Sequence, residues 1–322
     1  MKFFTADLHV SHENICLHCH RIPWIVPNPN YDPSRPQHFK FNNPQRVDIN
    51  RHDSDLVNNW NRLVNPKDEV IIAGDFAYKR HKHFISLLNG TKILTKGNHD
   101  KANTDFYEHF GKPSHSAIDL EEAQKNEEQY NFFELRKECS SALKRFRNGN
   151  IDINDCATYI LTASWAKFLE VNESGSIDEM SKECYNQFSE VHEMGCRKII
   201  EGKDVTICHY AMRSWASSCH GSYLAYGHSH GRMPEFDNML ACDVGIDVWG
   251  YAPVPWDAFL RKMEIKEEWM KKHGKYPVDG ESRAEGQYDM DPEKRVIETR
   301  KKNKEIMKSL GYPIIEEMWP NT

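Results

Sequence analysis

Apolar and polar positions alternate along this chain in short blocks rather than long runs. The first block is a short apolar strand, Lys2 to Ala6, that runs straight into polar residues. Residues 46–64 carry Val47, Ile49, Leu56, Trp60 and Leu63, and the last three keep helical spacing. Glu69 to Ala73 (EVIIA) has the character of a buried strand and ends in Gly74-Asp75. A short helix is expected over residues 79–88. Thr91 to Thr95 (TKILT) reads as the next strand and ends in Gly97-Asn98-His99-Asp100. The order is strand, helix, strand, helix, strand, with polar clusters at the strand C-termini. In open α/β sheets that edge is where sites form.

Other stretches depart from this rhythm. Residues 16–45 are rich in Pro, Asn and His and read as a long surface loop. Over residues 120–200, Phe132, Leu135, Cys139, Leu143 and Phe146 fall three and four apart, as do Ile160, Leu161, Trp165, Phe168 and Leu169. Charges fill the other faces, which predicts a helical insertion or cap. The α/β pattern resumes at Asp204 to Cys208 (DVTIC), with further strands expected at Ser222 to Tyr226 and Met239 to Val244. Residues 255–274 form an amphipathic charged helix, 275–290 a Gly-, Glu- and Asp-rich linker, and 291–310 a Lys/Glu-rich helix with a solvated face. The expected organisation is a discontinuous catalytic domain, 1–119 and 201–274, interrupted by the insertion at 120–200 and followed by a linker and helical tail, 275–322.

Composition narrows the class. The chain has 322 residues, 39% of them hydrophobic and 28% charged, which argues against wholesale disorder. The net charge of −6 does not recruit long nucleic acid, although a local basic patch can. No apolar run approaches the ~18–20 residues of a membrane span. The opening MKFFTADLHVSHEN has its apolar part cut short by Asp7 and His9, so no signal peptide is expected. Nine dispersed cysteines, an odd number, suggest reduced thiols in a cytoplasm.

The candidate chemistry lies in five polar clusters that each follow a strand: Asp7-Leu8-His9, Gly74-Asp75, Gly97-Asn98-His99-Asp100, His209, and Gly227-His228-Ser229-His230. They supply carboxylate, imidazole and amide donors, a set that Mn, Fe, Zn or Mg accepts. Asp7 and His9 lie two apart on a segment read as extended, so both can face one side, and the same holds for His228 and His230. These donors exceed the needs of one ion with open positions and suit two ions sharing a carboxylate. Two such ions, roughly 3.5–4 Å apart, polarise a phosphoryl oxygen and acidify bound water. Taken singly, each residue has an ordinary reading as a turn former, helix cap or core histidine. Cys16-Leu-His-Cys-His20 resembles half a zinc site, but no second cysteine pair follows, and a loop with incidental thiols is the favoured reading. His220 either lines the cleft or is incidental.

All five clusters, in this order from Asp7 to His230, resemble the calcineurin-like metallophosphoesterase superfamily. The stretch HYAMRSW…HGSYLAYGHSHG followed by DVGIDVWGY, with the opening TADxHxxHxNI over Thr5 to Ile15, is similar to a small bacterial and phage branch of it. The resemblance implies a four-layer α/β/β/α sandwich with a helical insertion. It also implies two divalent metal ions, Mn²⁺ first, with Fe²⁺, Zn²⁺, Ni²⁺ and Mg²⁺ as alternatives. By that analogy Asp7, His9 and His230 would hold one ion, Asn98, His209 and His228 the other, and Asp75 both. His99 would protonate the leaving oxygen or stabilise the transition state, with Asp100 hydrogen-bonded to its imidazole.

One departure from the superfamily matters. Phosphoprotein phosphatases of the superfamily have a D-R-G after the second cluster, whose arginine grips phosphate; here Gly74-Asp75 is followed by Phe-Ala-Tyr-Lys, and that arginine is absent from its usual place. Arg213 is the candidate substitute, because guanidinium binds phosphate oxygens bidentately. His12 and Asn14 are further candidate substrate contacts. The expected reaction is hydrolysis of a phosphodiester in a nucleotide, cyclic nucleotide or short oligonucleotide. The alternatives are a nuclease with a basic stripe from Lys79, Arg80, Lys82 and Lys101, a phosphomonoesterase, and a catalytically silent binding protein.

Overall fold

Val70, Ile71 and Ile72 are buried on both faces of their strand, as a sheet covered on both sides requires. The computed structural model describes residues 1–36, 42–78, 81–100, 188–192, 194–278 and 290–322. The strands are β1 (Lys2–Thr5), β2 (Ile25–Pro27), β3 (Gln45–Val47), β4 (Glu69–Ile72), β5 (Thr91–Thr95), β6 (Glu190–His192), β7 (Cys196–Ile200), β8 (Lys203–Cys208), β9 (Tyr223–Tyr226), β10 (Ala241–Asp243) and β11 (Val254–Pro255). One sheet has the order β11-β1-β4-β5-β6 and a second the order β10-β9-β8-β7. Within these two sheets pairing is parallel except at β1/β11 and β7/β8, and β2 and β3 form a separate antiparallel pair. A parallel bridge between Ala6 and Gly245 brings the end of β1 beside the turn that follows β10. The C-terminal ends of β1, β4, β5, β8 and β9 carry the five polar clusters.

The described α-helices are α1 (Glu13–His18), α2 (Ile49–Leu63), α3 (His81–Leu87), α4 (Trp256–His273) and α5 (Pro292–Ser309). Asp48 caps α2 by accepting from the Arg51 N–H, and the helix buries Leu56, Asn59 and Trp60. Helix α4 packs on β1, β10 and β11 through residues that include Phe259 and Met263. The α/β architecture implied by the resemblance is therefore present. No helix among the described residues is long and apolar enough to cross a membrane.

Three expectations need correction. Residues 190–192 and 196–200 are strands, one in each sheet, not part of a helical insertion. Strand β7 alternates between half-buried and exposed positions as an edge strand does, so its sequence, CRKII, carries little of the apolar signal that marks an interior strand. The rest of the expected insertion, 120–187, lies outside the described residues. The region 16–45 is not one loop: it contains the end of α1, a 3-10 turn at Ile22–Trp24 and the β2/β3 pair. Arg21 and Trp24 there are fully buried.

The C-terminal helix is also no solvated appendage. Arg295, Arg300 and Lys304 are buried. Arg300 donates through Nε and Nη2 to the Asp247 carbonyl at 3.0 and 2.8 Å. Long basic side chains bury their stems while their heads reach polar partners, so a charged sequence does not by itself mark a wet face.

Candidate metal centre

The backbone at the strand ends is bent in an unusual way. Asp7 N donates to Gly74 O, His9 N to Asp75 O and Val10 N to Phe76 O, so the segments after β1 and β4 stay paired beyond both strands. Yet Asp7 (φ 58°), His9 (φ 50°) and Ser11 (φ 59°) are left-handed, as are Asp75 (φ 55°), His228 (φ 68°) and His230 (φ 49°). The extended segment expected from the two-residue spacing is replaced by alternating left-handed residues. Each such residue costs roughly 1–2 kcal/mol, and it persists because surrounding bonds over-determine it.

Those bonds come from buried carboxylates. Asp53 accepts from the N–H and Oγ of Ser11 at 2.9 and 2.7 Å. Asp243 accepts from Ser229 Oγ at 2.6 Å, Gly231 N at 2.8 Å and Gly245 N at 2.7 Å, which fixes the loop carrying His228 and His230. Asp7 accepts from the His228 N–H at 2.9 and 3.0 Å. Close approach then demands glycine. A Cβ on Gly97 would stand 2.2 Å from Asp75 Oδ1, and one on Gly227 would stand 2.6 Å from Asp7 Oδ2.

The side chains converge in two adjoining groups. Donor atoms of Asp7, His9 and His230 lie within 4.8 Å of one another, and so do those of Asp75, His209 and His228. Asp75 Oδ2 stands between the groups, 3.4 Å from His9 Nε2 and 3.4 Å from His209 Nε2. Asn98 Oδ1 lies 3.0 Å from His209 Nε2. His9, His12 and His99 form a third group of the same dimension. The His99 N–H donates to Asp75 Oδ1 at 2.8 Å, and its ring is 5.0 Å from those of His9 and His12.

Burial sets the electrostatics. Asp7 is fully buried and its carboxyl is pushed well above the usual range by desolvation, with Asp243, Asp75 and Asp247 adding to the rise. Desolvation likewise raises Asp75. The same cause lowers His9 and brings His12 and His209 down to about 4. The centre thus gathers carboxylates short of solvation and holds His9, His12 and His209 neutral, the form that ligates cations. His230 goes the other way: burial would lower it, but the carboxylates of Asp7 and Asp247 hold it well above its ordinary value. His9 Nε2 is buried without a hydrogen-bond partner. His209 Nδ1 faces the Ala73 carbonyl at 2.9 Å, and His230 Nδ1 faces Asp247 Oδ2 at 2.7 Å. The Nε2 atom of each ring is thereby left for the cluster. An orphaned nitrogen, oriented imidazoles and mixed oxygen and nitrogen donors fit divalent cations.

Two kinds of residue lay outside the sequence reading. The first is a buried chain of bonds behind the cluster. Asp53 meets His52 Nδ1 at 2.9 Å, and His52 Nε2 meets Arg21 Nη1 at 3.0 Å. Arg21 grips Asp247 through Nε and Nη2 at 2.9 and 2.8 Å, and donates to the carbonyls of Asp7 and Leu8. The second is a pair of exposed aromatic residues, Tyr78 stacked on His12 and Tyr210 edge-on to His209 and His228. A buried arginine inside a Pro- and His-rich stretch leaves no periodic signal.

Some expected contacts differ. Asp100 does not hydrogen-bond the His99 imidazole. Its Oδ2 accepts from Asp75 N at 2.6 Å and Gly97 N at 2.8 Å, and its Oδ1 accepts from Phe76 N at 2.8 Å. Those amides point inward at the crossing of two loops, and a fully desolvated carboxylate satisfies them. Asn14 sits half-buried in α1, and Arg213 is exposed four residues after His209. Cys16 and Cys19 are buried at α1, and Cys19 Sγ accepts from Arg232; neither belongs to a donor group among the described residues. His220 is exposed and equally outside those groups. Lys79, Arg80 and Lys101, and the side chain of Lys82, lie outside the described residues.

An uncharacterized protein of Methanocaldococcus jannaschii is 28% identical over 109 residues, which are 32% of this chain and 49% of that protein. The chain thus matches about half the length of that relative. A protein of unknown function from Aquifex aeolicus, known as a crystal structure, is 14% identical at a TM-score of 0.37, over 79% of this chain and 94% of that one. The family model for calcineurin-like phosphoesterases matches residues 3–232, a span that begins within β1 and ends just past the last clustered histidine. With five clusters in family order meeting at one centre, the chain belongs to the calcineurin-like phosphoesterases, a family of metal-dependent hydrolases acting on phosphoester bonds.

Proposed function

We propose that this chain hydrolyses a phosphodiester with the help of two divalent cations, Mn²⁺ first among them, in a substrate of nucleotide, cyclic nucleotide or short oligonucleotide size. The observation that carries the reading is Asp75 Oδ2 at 3.4 Å from a histidine of each donor group. A carboxylate so placed suits a shared ligand. Asp7, His9 and His230 would hold one ion, and Asn98, His209 and His228 the other. When bound, such ions polarise a phosphoryl oxygen and acidify a bound water.

The remaining chemistry belongs to the chain. His99 stands beside both His9 and His12, and its backbone is tied to Asp75, which supports its imidazole as the group that would give a leaving oxygen its proton. Asp100 acts on His99 indirectly, by clamping the loop on either side of it. His12 lies next to that imidazole and is a candidate contact for a phosphate oxygen. Arg213 is a second candidate, and its exposed guanidinium would reach substrate bidentately. A diester is favoured over phosphoprotein because no D-R-G follows the second cluster, where Gly74-Asp75 runs into Phe-Ala-Tyr-Lys.

The test is hydrolysis of bis-p-nitrophenyl phosphate and p-nitrophenyl phosphate with Mn²⁺ and with EDTA. Wild type, Asp75→Asn and His99→Ala would be compared. Metal-dependent diester turnover that collapses in both variants supports the proposal. Preference for the monoester would discard the diester, and protein that takes up no metal would overturn the two-ion centre.

A further inference from the structure

We propose that His12 is a positioning residue for the metal centre: its Nδ1 accepts a hydrogen bond from His9 Nδ1 and so leaves the lone pair of His9 Nε2 facing the cations. This rests on the two-ion reading and adds to it the residue that sets the tautomer of one ligand.

Two of the clustered histidines have a partner of this kind. His209 Nδ1 faces the Ala73 carbonyl and His230 Nδ1 faces the Asp247 carboxylate. For His9 the partner is another imidazole, with His9 Nδ1 3.2 Å from His12 Nδ1. Two ring nitrogens at that distance share one proton, since two N–H groups cannot face each other. The far end of His9 decides which ring carries it. His9 Nε2 is buried, has no hydrogen-bond partner, and stands 3.4 Å from Asp75 Oδ2 and 3.9 Å from Asp7 Oδ1. A nitrogen there ligates a cation only through its lone pair. The proton of His9 therefore sits on Nδ1, and His12 Nδ1 is the acceptor. His12 carries its own proton on Nε2.

The local fold favours this contact over the ordinary one. His12 is the N-cap of α1, a position usually held by Ser, Thr, Asp or Asn, whose side chains accept from the first helical N–H groups. His12 makes no such bond, and its imidazole meets His9 instead. The turn between them passes through left-handed Ser11, which Asp53 holds, and closes with the His12 N–H on the His9 carbonyl at 3.1 Å. Tyr78 stacks on the His12 ring, with centroids 4.4 Å apart and planes inclined by 13°, and so fixes the plane of the acceptor.

The experiment titrates the full chain with Mn²⁺ by calorimetry in wild type, His12→Phe and His12→Asn. Glu13→Ala is the control, at an exposed position of the same helix. Phe keeps a ring against Tyr78 but offers no acceptor. Asn loses the ring but can place its oxygen near the position of Nδ1. Phe is expected to weaken Mn²⁺ binding about tenfold or more, while Asn stays within about threefold of wild type and the control is unchanged. Turnover of bis-p-nitrophenyl phosphate by the Phe variant recovers at saturating Mn²⁺. Spectra of the ¹⁵N-histidine-labelled chain before metal is added show the proton of His9 on Nδ1 and that of His12 on Nε2.

Wild-type Mn²⁺ affinity in the Phe variant would overturn the proposal. So would Asn binding no better than Phe, because packing would then explain the loss. A raised KM in the Phe variant with an unchanged Kd for Mn²⁺ would overturn it too, and would make His12 a substrate contact only. The two readings fail separately. If the wild type takes up no Mn²⁺, the two-ion reading falls, and the spectra still decide the pair: a proton on His9 Nδ1 keeps His12 as its acceptor, and one on His9 Nε2 removes it. His12-dependent Mn²⁺ binding without turnover of any ester keeps the positioning role and removes the hydrolytic reading.

Discussion

Asp247 Oδ2 lies 2.7 Å from Nδ1 of His230. That contact decides which nitrogen of the imidazole faces the cluster, and Arg21 on the other side of Asp247 keeps the carboxyl well below the usual carboxylate range. Burial alone would raise it, but the guanidinium and His230 more than offset that cost. Arg21 in turn leans on His52, and His52 on Asp53, which also holds the left-handed Ser11. One buried chain of bonds therefore orients donors from both halves of the sequence.

Asp247→Asn should weaken metal uptake about 10–100-fold, the usual cost of losing the partner behind a ligating histidine. Asp247→Ala should in addition lower stability by about 3–5 kcal/mol, because Arg21 is left buried without its counter-charge. Metal titration followed calorimetrically, beside urea unfolding, separates the two effects. Wild-type metal affinity in Asp247→Asn would show that His230 is oriented by other means.

Arg300 carries the same logic to the C-terminal helix. It donates twice to the Asp247 carbonyl and once, through Nη1, to Pro320 O at 2.7 Å. Arg300→Met keeps the buried stem and removes the donors. The expected loss is about 2–4 kcal/mol of unfolding free energy, since hydrogen bonds from charged groups are the stronger ones. Metal affinity should fall with it, because the turn that bears Asp247 loses its outer support. A variant as stable as wild type, with unchanged metal binding, would make α5 an independent tail after all.

Much of this was legible in the sequence, and the reasons are physical. Strand runs such as EVII and TKILT are apolar enough to announce buried parallel strands, and the clusters that follow them are read from residue type alone. Strand β7, with its alternating burial, hid inside a segment assigned to helix. Arg21, His52, Asp53 and Asp247 are polar residues without periodicity. Only the fold shows that they meet. The parity argument for Asp7 and His9 reached the right cluster by the wrong conformation, because left-handed residues do not follow the pleat of a strand.

Gly97 tests how tightly the Asp75 carboxylate is packed. A Cβ there would stand 2.2 Å from Asp75 Oδ1 and 2.7 Å from Asp75 N, so the carboxylate or the loop must move. Gly97→Ala should cut turnover of bis-p-nitrophenyl phosphate by about 100-fold, since misplacement on the ångström scale is that costly. Bound metal per chain should drop as well. Gly221, which unlike Gly97 is left-handed, has nothing within 4 Å of a Cβ, and Gly221→Ala should cost only about 1 kcal/mol of stability with turnover retained. Equal activity in the two variants would mean that Asp75 is not held where the packing places it.

The last prediction concerns acid stability away from the centre. Glu235 lies 2.8 Å from Lys262 Nζ and 3.6 Å from Lys266 Nζ. Burial alone would raise its pKa, but Lys262 and then Lys266 bring it down to about 2. A carboxyl depressed in the folded state contributes stability that is fully present above its unfolded value, near 4.5, and is lost as pH falls toward 2. In that window the unfolded chain binds the extra proton, so stability rises with pH, with this one group adding at most about 1.4 kcal/mol per pH unit. Glu235→Gln should flatten that part of the curve and leave Lys262 and Lys266 without their shared counter-charge at every pH. Urea unfolding of both proteins between pH 2.5 and 5, roughly the span of the titration, measures the slopes. Parallel curves would show that the pair does not titrate with folding.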